Sequence, residues 1–135
     1  MPYTSVRRAM GLSATMADRA GLLAETLEYL RAAGVNMIQA TGAGIAGTAH
    51  LYTVPDNVAA VKELAASAGV SAQEHPALVF EGDDTPGALV DIARKIADAG
   101  INVKYCSAAA VGGRFCAVYF FSADSFERAA GLFGV

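Results

Sequence analysis

The stretch that decides the fold is Asp84-Thr85-Pro86-Gly87, followed by a run with Leu89, Ala93 and Ile96 on one stripe and closed by Gly100-Ile101-Asn102. Apolar residues three and four apart predict a helix with one buried face. Pro86 at the first helical position with Thr85 as cap is a standard helix start. Gly100 is the glycine expected just past a helix terminus. Asp91, Arg94, Lys95 and Asp98 occupy the outer face at spacings that suit exposed ion pairs. Sliding the chain on itself by 66 residues brings Asp18, Gly21, Leu23, Leu30, Ala33, Gly34 and Asn36 onto Asp84, Gly87, Leu89, Ile96, Ala99, Gly100 and Asn102. The same design is therefore written twice.

Working outward, each copy reads as strand, helix, strand, strand, helix. In the first copy, residues 11–16 form a strand. Residues 20–33 form a helix with Leu23, Leu27 and Leu30 on its stripe and Gly34 as its stop. Two β-prone runs follow in each copy, residues 35–41 and 48–54, then 101–110 and 114–121, and glycine-bearing turns make them hairpins. Asp56 and Asp124, matched at an offset of 68, are expected to cap the second helices. Val58, Val61 and Leu64 are the apolar positions of one of these helices; Phe126, Ala130 and Phe133 are those of the other. A strand over 70–75 closes the first copy and runs through Pro76 into residues 77–83. The second copy has no matching last strand, so a free sheet edge is expected there. The fold class is α+β: two tandem ferredoxin-like βαββαβ units, residues 1–75 and 76–135, with antiparallel sheets and helices on one face. Both faces of the second hairpin are apolar. Val103, Tyr105, Cys116, Val118 and Phe120 lie on one face and Cys106, Ala108, Phe115, Tyr119 and Phe121 on the other. Helices on one side can cover only one of them, and the face left over is expected to pack on a second chain or on the other unit.

Composition narrows the function. The 135 residues are 54% hydrophobic and 17% charged, with a net charge of -3. Arg7 and Arg8 are the strongest basic cluster, so the electrostatic term that dominates nucleic-acid affinity is missing. No apolar run approaches the roughly 20 residues that cross a bilayer. The apolar stretch after Arg8 is broken by Ser13 and Thr15 and is needed as a strand, which argues against export. If Gly112 and Gly113 make a two-residue turn, Cys106 lies opposite Tyr119 and Ala109 opposite Cys116. Alternation then puts the two sulfurs on opposite faces of the sheet. Reduced thiols in the cytoplasm are the expectation.

Most chemical signals are weak. Gly42-Ala43-Gly44-Ile45-Ala46-Gly47 matches the dinucleotide fingerprint in letters, but a strand rather than a helix is expected after it. His50 and His75 have no neighbours at metal-ligand spacing, so no metal is expected. Cys106, Cys116, Ser107 and Ser125 lie in no nucleophile motif. Glu25, Glu28, Asp91 and Asp98 are assigned to helix surfaces, and no acid/base pair assembles.

The loops Asp18-Arg19-Ala20-Gly21 and Asp84-Thr85-Pro86-Gly87 are the strongest candidates. A helix N-terminus offers unpaired N–H groups and partial positive charge to a carboxylate. Such a loop taken alone reads as a capped helix start. Each, however, is paired with an asparagine at the head of the next strand, Asn36 or Asn102. An Asp-x-Pro-Gly loop, a helix and then Gly-Ile-Asn, repeated over the whole chain, resembles the ACT domain, the small module that binds amino acids in metabolic enzymes and regulators. The resemblance implies effectors between two units, held by the loop of one and the asparagine strand of the other. The positions are Asp18, Ala20, Gly21 and Leu22 with Asn36, and Asp84, Pro86, Gly87 and Ala88 with Asn102. The first copy departs from the pattern, with Arg19 and Ala20 where Thr85 and Pro86 stand. Arg19 either meets a ligand carboxylate or is solvated. The function implied is an amino-acid-binding regulatory sensor, not an enzyme, with no cofactor, acting as a homodimer on a separate regulated protein. The alternatives are a small enzyme using Tyr105 or Tyr119 on the same fold and a purely structural assembly module.

Overall fold

Glycines with positive φ punctuate the chain at matching places in both copies. The structure, a computed structural model, describes residues 3–135. The elements are β1 (Ser5–Ala17), α1 (Leu22–Ala32), β2 (Met37–Ile45), β3 (Thr48–Pro55), α2 (Val58–Ser67), β4 (Gln73–Asp83), α3 (Ala88–Asp98), β5 (Tyr105–Val111), β6 (Arg114–Phe120) and α4 (Ala123–Leu132). They build two ferredoxin-like units of antiparallel sheet and paired helices.

The C-terminal unit comprises residues 3–9 together with His75–Val135. Its strand order is β1-β4-β6-β5, with Phe80 opposite Ala117 and Ala108 opposite the same Ala117. The strand missing from its sequence is thus supplied by residues 5–9, beginning where the Thr4 N–H donates to the Glu81 carbonyl at 2.7 Å. This corrects the expected free edge. β1 is longer than the apolar pattern indicates, because Tyr3 and Val6 anchor its start on the hydrophobic core despite the arginines that follow. The division at residues 75 and 76 therefore differs at the N-terminal end, where residues 3–9 leave the first unit.

The N-terminal unit comprises Met10–Glu74. Its strands run in the order β2-β3-β1, with Leu12 opposite Thr53, Ala14 opposite Leu51, and Gly42 opposite Leu51. β4 is one continuous strand from Gln73, not two segments meeting at Pro76.

Both hairpins turn on two residues with positive φ, Ala46-Gly47 and Gly112-Gly113, the mirror-image turn that matches strand twist. The second turn fixes the anticipated register: Cys106 faces Tyr119, and Ala109 faces Cys116. A strand, β3, follows the glycine-rich run of residues 42–47, as expected.

The second helices start differently from the sequence expectation. Asn57 caps α2, its side chain accepting from the Ala60 N–H at 3.1 Å, and Ser122 precedes α4. Asp56 instead accepts from the Asn36 N–H at 3.1 Å. Asp124 sits in the first turn of α4, where its carboxylate accepts from the Ser122 hydroxyl. With Asn57 matching Ser122 and Gly69 matching Gly134, the offset in this helix is 65, not 68.

The aromatic core lies in the C-terminal unit. Phe80 is fully buried and meets Tyr3, Tyr119 and Phe133 edge-on at centroid distances of 5.3, 5.6 and 4.8 Å. α3 buries Ala88, Ile92 and Ile96, a stripe one residue round from Leu89 and Ala93. In α1 only Leu30 is buried. Leu23 and Leu27, expected on the core face, are 61% and 41% exposed. On the hairpin face that carries Tyr105, Cys116, Val118 and Phe120, Tyr105 and Cys116 are half-buried. Val118 and Phe120 are buried, His75 stacks on Phe120 at 5.9 Å and Tyr105 tilts against it at 5.3 Å. Among the described residues, no helix is long and apolar enough to cross a membrane.

Candidate functional site

The two strand-to-helix loops are built alike, and a backbone bond to the neighbouring hairpin tip fixes each. The Asp84 N–H donates to the Gly113 carbonyl at 2.8 Å, and the Asp18 N–H to the Gly47 carbonyl at 2.9 Å. Each loop then makes a tight turn through a left-handed glycine, Gly87 at φ 81° and Gly21 at φ 85°, which is itself the helix N-cap. The Ala88 N–H donates to the Thr85 carbonyl at 3.0 Å, and the Leu22 N–H to the Arg19 carbonyl at 3.3 Å. This corrects the expected start with Thr85 as cap and Pro86 as first residue. The left-handed glycine aims a carbonyl, rather than the Thr85 hydroxyl, at the helix start. No side chain caps either helix, so the partial positive charge of the first turn faces the loop.

In the C-terminal loop Asp84, Pro86 and Gly87 are exposed. Ala88 is buried in the core, which leaves only its backbone for a ligand. In the N-terminal loop Asp18, Ala20 and Gly21 are exposed and Leu22 is half-buried. Asp18 lays its carboxylate over Gly44 so closely that a Cβ there would collide with it. Arg19 pairs with Glu25 in the first turn of α1. Arg19 is exposed, in keeping with the solvated reading, and its ion pair ties the loop to the first turn of α1.

The asparagines are placed elsewhere. Asn36 and Asn102 are both exposed, and the Asn36 backbone is clamped to Asp56 by a bond in each direction, 3.1 and 2.9 Å. Each lies beyond the C-terminal end of its helix. α1 and α3 have 11 residues apiece, which at about 1.5 Å per residue sets loop and asparagine of one unit roughly 16 Å apart. The structure gathers the loop residues but does not bring the asparagine of the same unit to them. Gly44, Gly47 and Gly113 were missed as part of these loops. Gly47 and Gly113 carry a signal in their shared offset of 66, whereas Gly44 has Ala110 at its matching position and carries none.

The other chemically suggestive groups do not converge. Tyr119 is buried and hydrogen-bonded to Cys106, and burial first, then Cys106, pushes its phenol far above the usual range. It is no acid or base at neutral pH. Burial raises the Cys106 and Cys116 thiols. Burial lowers His75, with Lys104 adding to the effect. Among the described residues no group of three or more His, Cys, Asp or Glu side chains could hold a metal ion.

A family model described as an ACT domain pair matches residues 8–133. The chain belongs to this family. ACT domains are regulatory modules rather than catalytic ones, and the repeated loop is the start of helix one in each member of the pair. No curated protein matches the sequence. Solved structures share the ACT pair's fold at low identity. Protein BT0572 from Bacteroides thetaiotaomicron superposes with a TM-score of 0.79 at 16% identity, over 94% of this chain and 87% of that one. The ligand-free regulatory subunit of aspartate kinase from Thermus thermophilus gives 0.67 at 16% identity, over 97% and 96%. E. coli aspartokinase III in complex with lysine and aspartate gives 0.60 at 14% identity, over 92% of this chain and 30% of that one.

Proposed function

We propose that this ACT domain pair is a cytoplasmic sensor that binds a small amino-acid-like ligand and passes the event to a separate regulated protein, with no catalysis of its own. The observation that carries this reading is the twice-built loop: a left-handed glycine before an uncapped helix N-terminus, with an exposed aspartate tied to the hairpin tip. The helix start suits the ligand carboxylate and Asp84 its ammonium group. Because Asn102 lies at the far end of α3, it serves a site formed with another ACT unit, which a homodimer provides. The site of Asp84, Pro86, Gly87, Ala88 and Asn102 is the stronger one. That of Asp18, Ala20, Gly21, Leu22 and Asn36 has Asp18 folded over Gly44 and Arg19 held by Glu25.

Magnitudes favour a site completed by two surfaces. A helix terminus supplies about 0.3–1 kcal/mol, whereas micromolar binding needs about 8. Enclosure and further contacts must supply the rest. Structures of the same fold include a regulatory subunit and an aspartokinase complexed with lysine and aspartate, which supports a regulatory role and an amino-acid ligand. The free thiols of Cys106 and Cys116 suit a reducing compartment.

The test is thermal unfolding of the full chain against each of the twenty amino acids, since a ligand that binds the native state raises its melting temperature. The expected result is a selective rise that Asn102→Ala and Gly87→Leu both abolish. No shift with any amino acid at millimolar concentration would overturn the reading.

A further inference from the structure

We infer that the N-terminal unit holds a second kind of ligand site, inside its own helix–sheet layer, that takes a neutral, ring-bearing apolar molecule. A cavity of about 940 Å³, open to solvent on one side, lies between α1, α2 and strands β1, β2 and β3, and its lining residues all fall within one unit. The repeat explains its origin. In the C-terminal unit the corresponding space is filled by the buried rings of Phe80, Phe115, Tyr119, Phe126 and Phe133. The matching positions of the N-terminal unit are Ala14, Thr53, Val61 and Ala68, which line the cavity, and Ala49, which is buried but outside its lining. The hairpin glycines fix this alignment through the strands, and the glycines that end α2 and α4 fix it through the helices. Ile92 of α3 is likewise replaced by Thr26 in α1. The reverse exchanges, Met16 for Gly82, Leu22 for Ala88, Leu51 for Ala117 and Leu64 for Ala129, restore four flexible apolar side chains against five lost rings.

The backbone has not closed over the loss. α1 keeps only Leu30 buried. Interiors ordinarily pack as densely as organic crystals. A mostly apolar space of roughly 300–1,000 Å³ is instead the size of a small-molecule site. What fills the same space in the sister unit is aromatic, so the occupant is ring-bearing. The walls also set its polarity. The Thr26 hydroxyl donates to the Leu22 carbonyl at 2.8 Å and the Thr53 hydroxyl to the Gln39 carbonyl at 2.8 Å. Each therefore offers the cavity an oxygen lone pair, which suits a ligand donor such as an indole N–H or a phenol O–H. Arg19 and Glu25, the charged lining residues, neutralise each other. A zwitterionic amino acid fits this site badly, so the inference does not depend on the sensor reading.

The test titrates the full chain with N-phenyl-1-naphthylamine, a neutral aromatic dye, followed by fluorescence and by competition with indole. Saturable binding is expected. Ala14→Phe and Ala68→Phe, which copy Phe80 and Phe133, should each weaken it at least tenfold while raising the melting temperature. Val111→Ser, at an exposed apolar position of the other unit, should leave it unchanged. Circular dichroism checks each fold, and Thr26→Ile, copying Ile92, serves if a phenylalanine variant does not fold. Absence of saturable binding to the unmodified chain overturns the inference, and so does dye binding that survives the filled variants. Loss of a dimer in those variants without dye binding in the parent would assign the cavity to a second copy and equally overturn it.

Discussion

Gly21 and Gly87 adopt the same left-handed conformation, φ 85° and 81°, at the heads of α1 and α3. Each lets the following helix begin under a backbone carbonyl three residues earlier, and the two halves of the chain share this device although their cores differ.

A Cβ at Gly21 would meet nothing within 4 Å, and one at Gly87 only Val90 at 3.9 Å. The cost of substitution is therefore conformational. Gly21→Ala and Gly87→Ala should each destabilise by about 1–2 kcal/mol. Gly131→Ala is the contrast, since Gly131 lies in α4 with open space around its Cα and no positive φ. There the same change should stabilise by about 0.4–1 kcal/mol. Urea unfolding of the three variants gives the signs, and a stabilised Gly87→Ala would contradict the assigned geometry.

Acid should remove a different contribution. Arg8 grips Glu127 through two hydrogen bonds, 2.8 and 2.9 Å, and these hold the Glu127 carboxyl below the usual range. The folded pKa is the lower one. The stabilisation is thus complete above the unfolded carboxyl's pKa of about 4.3 and is lost as pH falls through the folded value. The urea midpoint of the parent should exceed that of Glu127→Gln near neutrality, and the gap should close as the solution is acidified below about pH 4. Because the pair is exposed, 1 M salt should narrow the gap as well. A gap independent of both pH and salt would remove the electrostatic account.

These relationships were unequally visible in the sequence. Gly112-Gly113 fixed a hairpin whose register put Cys106 on Tyr119, because a two-residue turn leaves one pairing. Gly34 and Gly100 likewise end their helices, and the loop residues from Asp84 to Ala88 do gather at one helix start. Three things were hidden. The start of β1 looks polar at Arg7 and Arg8, so its role as a core strand shows only through Tyr3 and Val6. Leu23 and Leu27 have core spacing but stand exposed, since periodicity reports which residues share a face and not whether anything packs against it. The role of Asn57 and Ser122 at the starts of α2 and α4 was masked by the neighbouring Asp56 and Asp124, which are equally good capping types.

The thiol of Cys106 offers a local test of the second hairpin. Partial burial raises its pKa, and the hydrogen bond with Tyr119 acts against that rise. Tyr119→Phe should therefore raise the thiol pKa further and slow alkylation by iodoacetamide at pH 8, measured by mass after quenching. Cys116, on the other face, should keep its rate. Faster alkylation of Cys106 in the variant would mean that Tyr119 shields the sulfur rather than stabilising the thiolate.

The uneven packing of the two units should appear most directly in hydrogen exchange. The contiguous hydrophobic core, from Leu78 and Phe80 through Ile92 and Ile96 to Phe126 and Phe133, lies wholly in the C-terminal unit. Local stability follows buried apolar contact, so the slowest amides should lie in β4, β6, α3 and α4. Those of α1 and α2 should exchange faster, although all four helices are 10 or 11 residues long. Phe80→Ala should cost about 3–5 kcal/mol and speed exchange throughout the C-terminal unit. Leu30→Ala removes the one buried side chain of α1, and its effect should be confined to the N-terminal unit. Equal protection in α1 and α3 of the ligand-free chain would mean that the cavity beneath α1 is closed in solution.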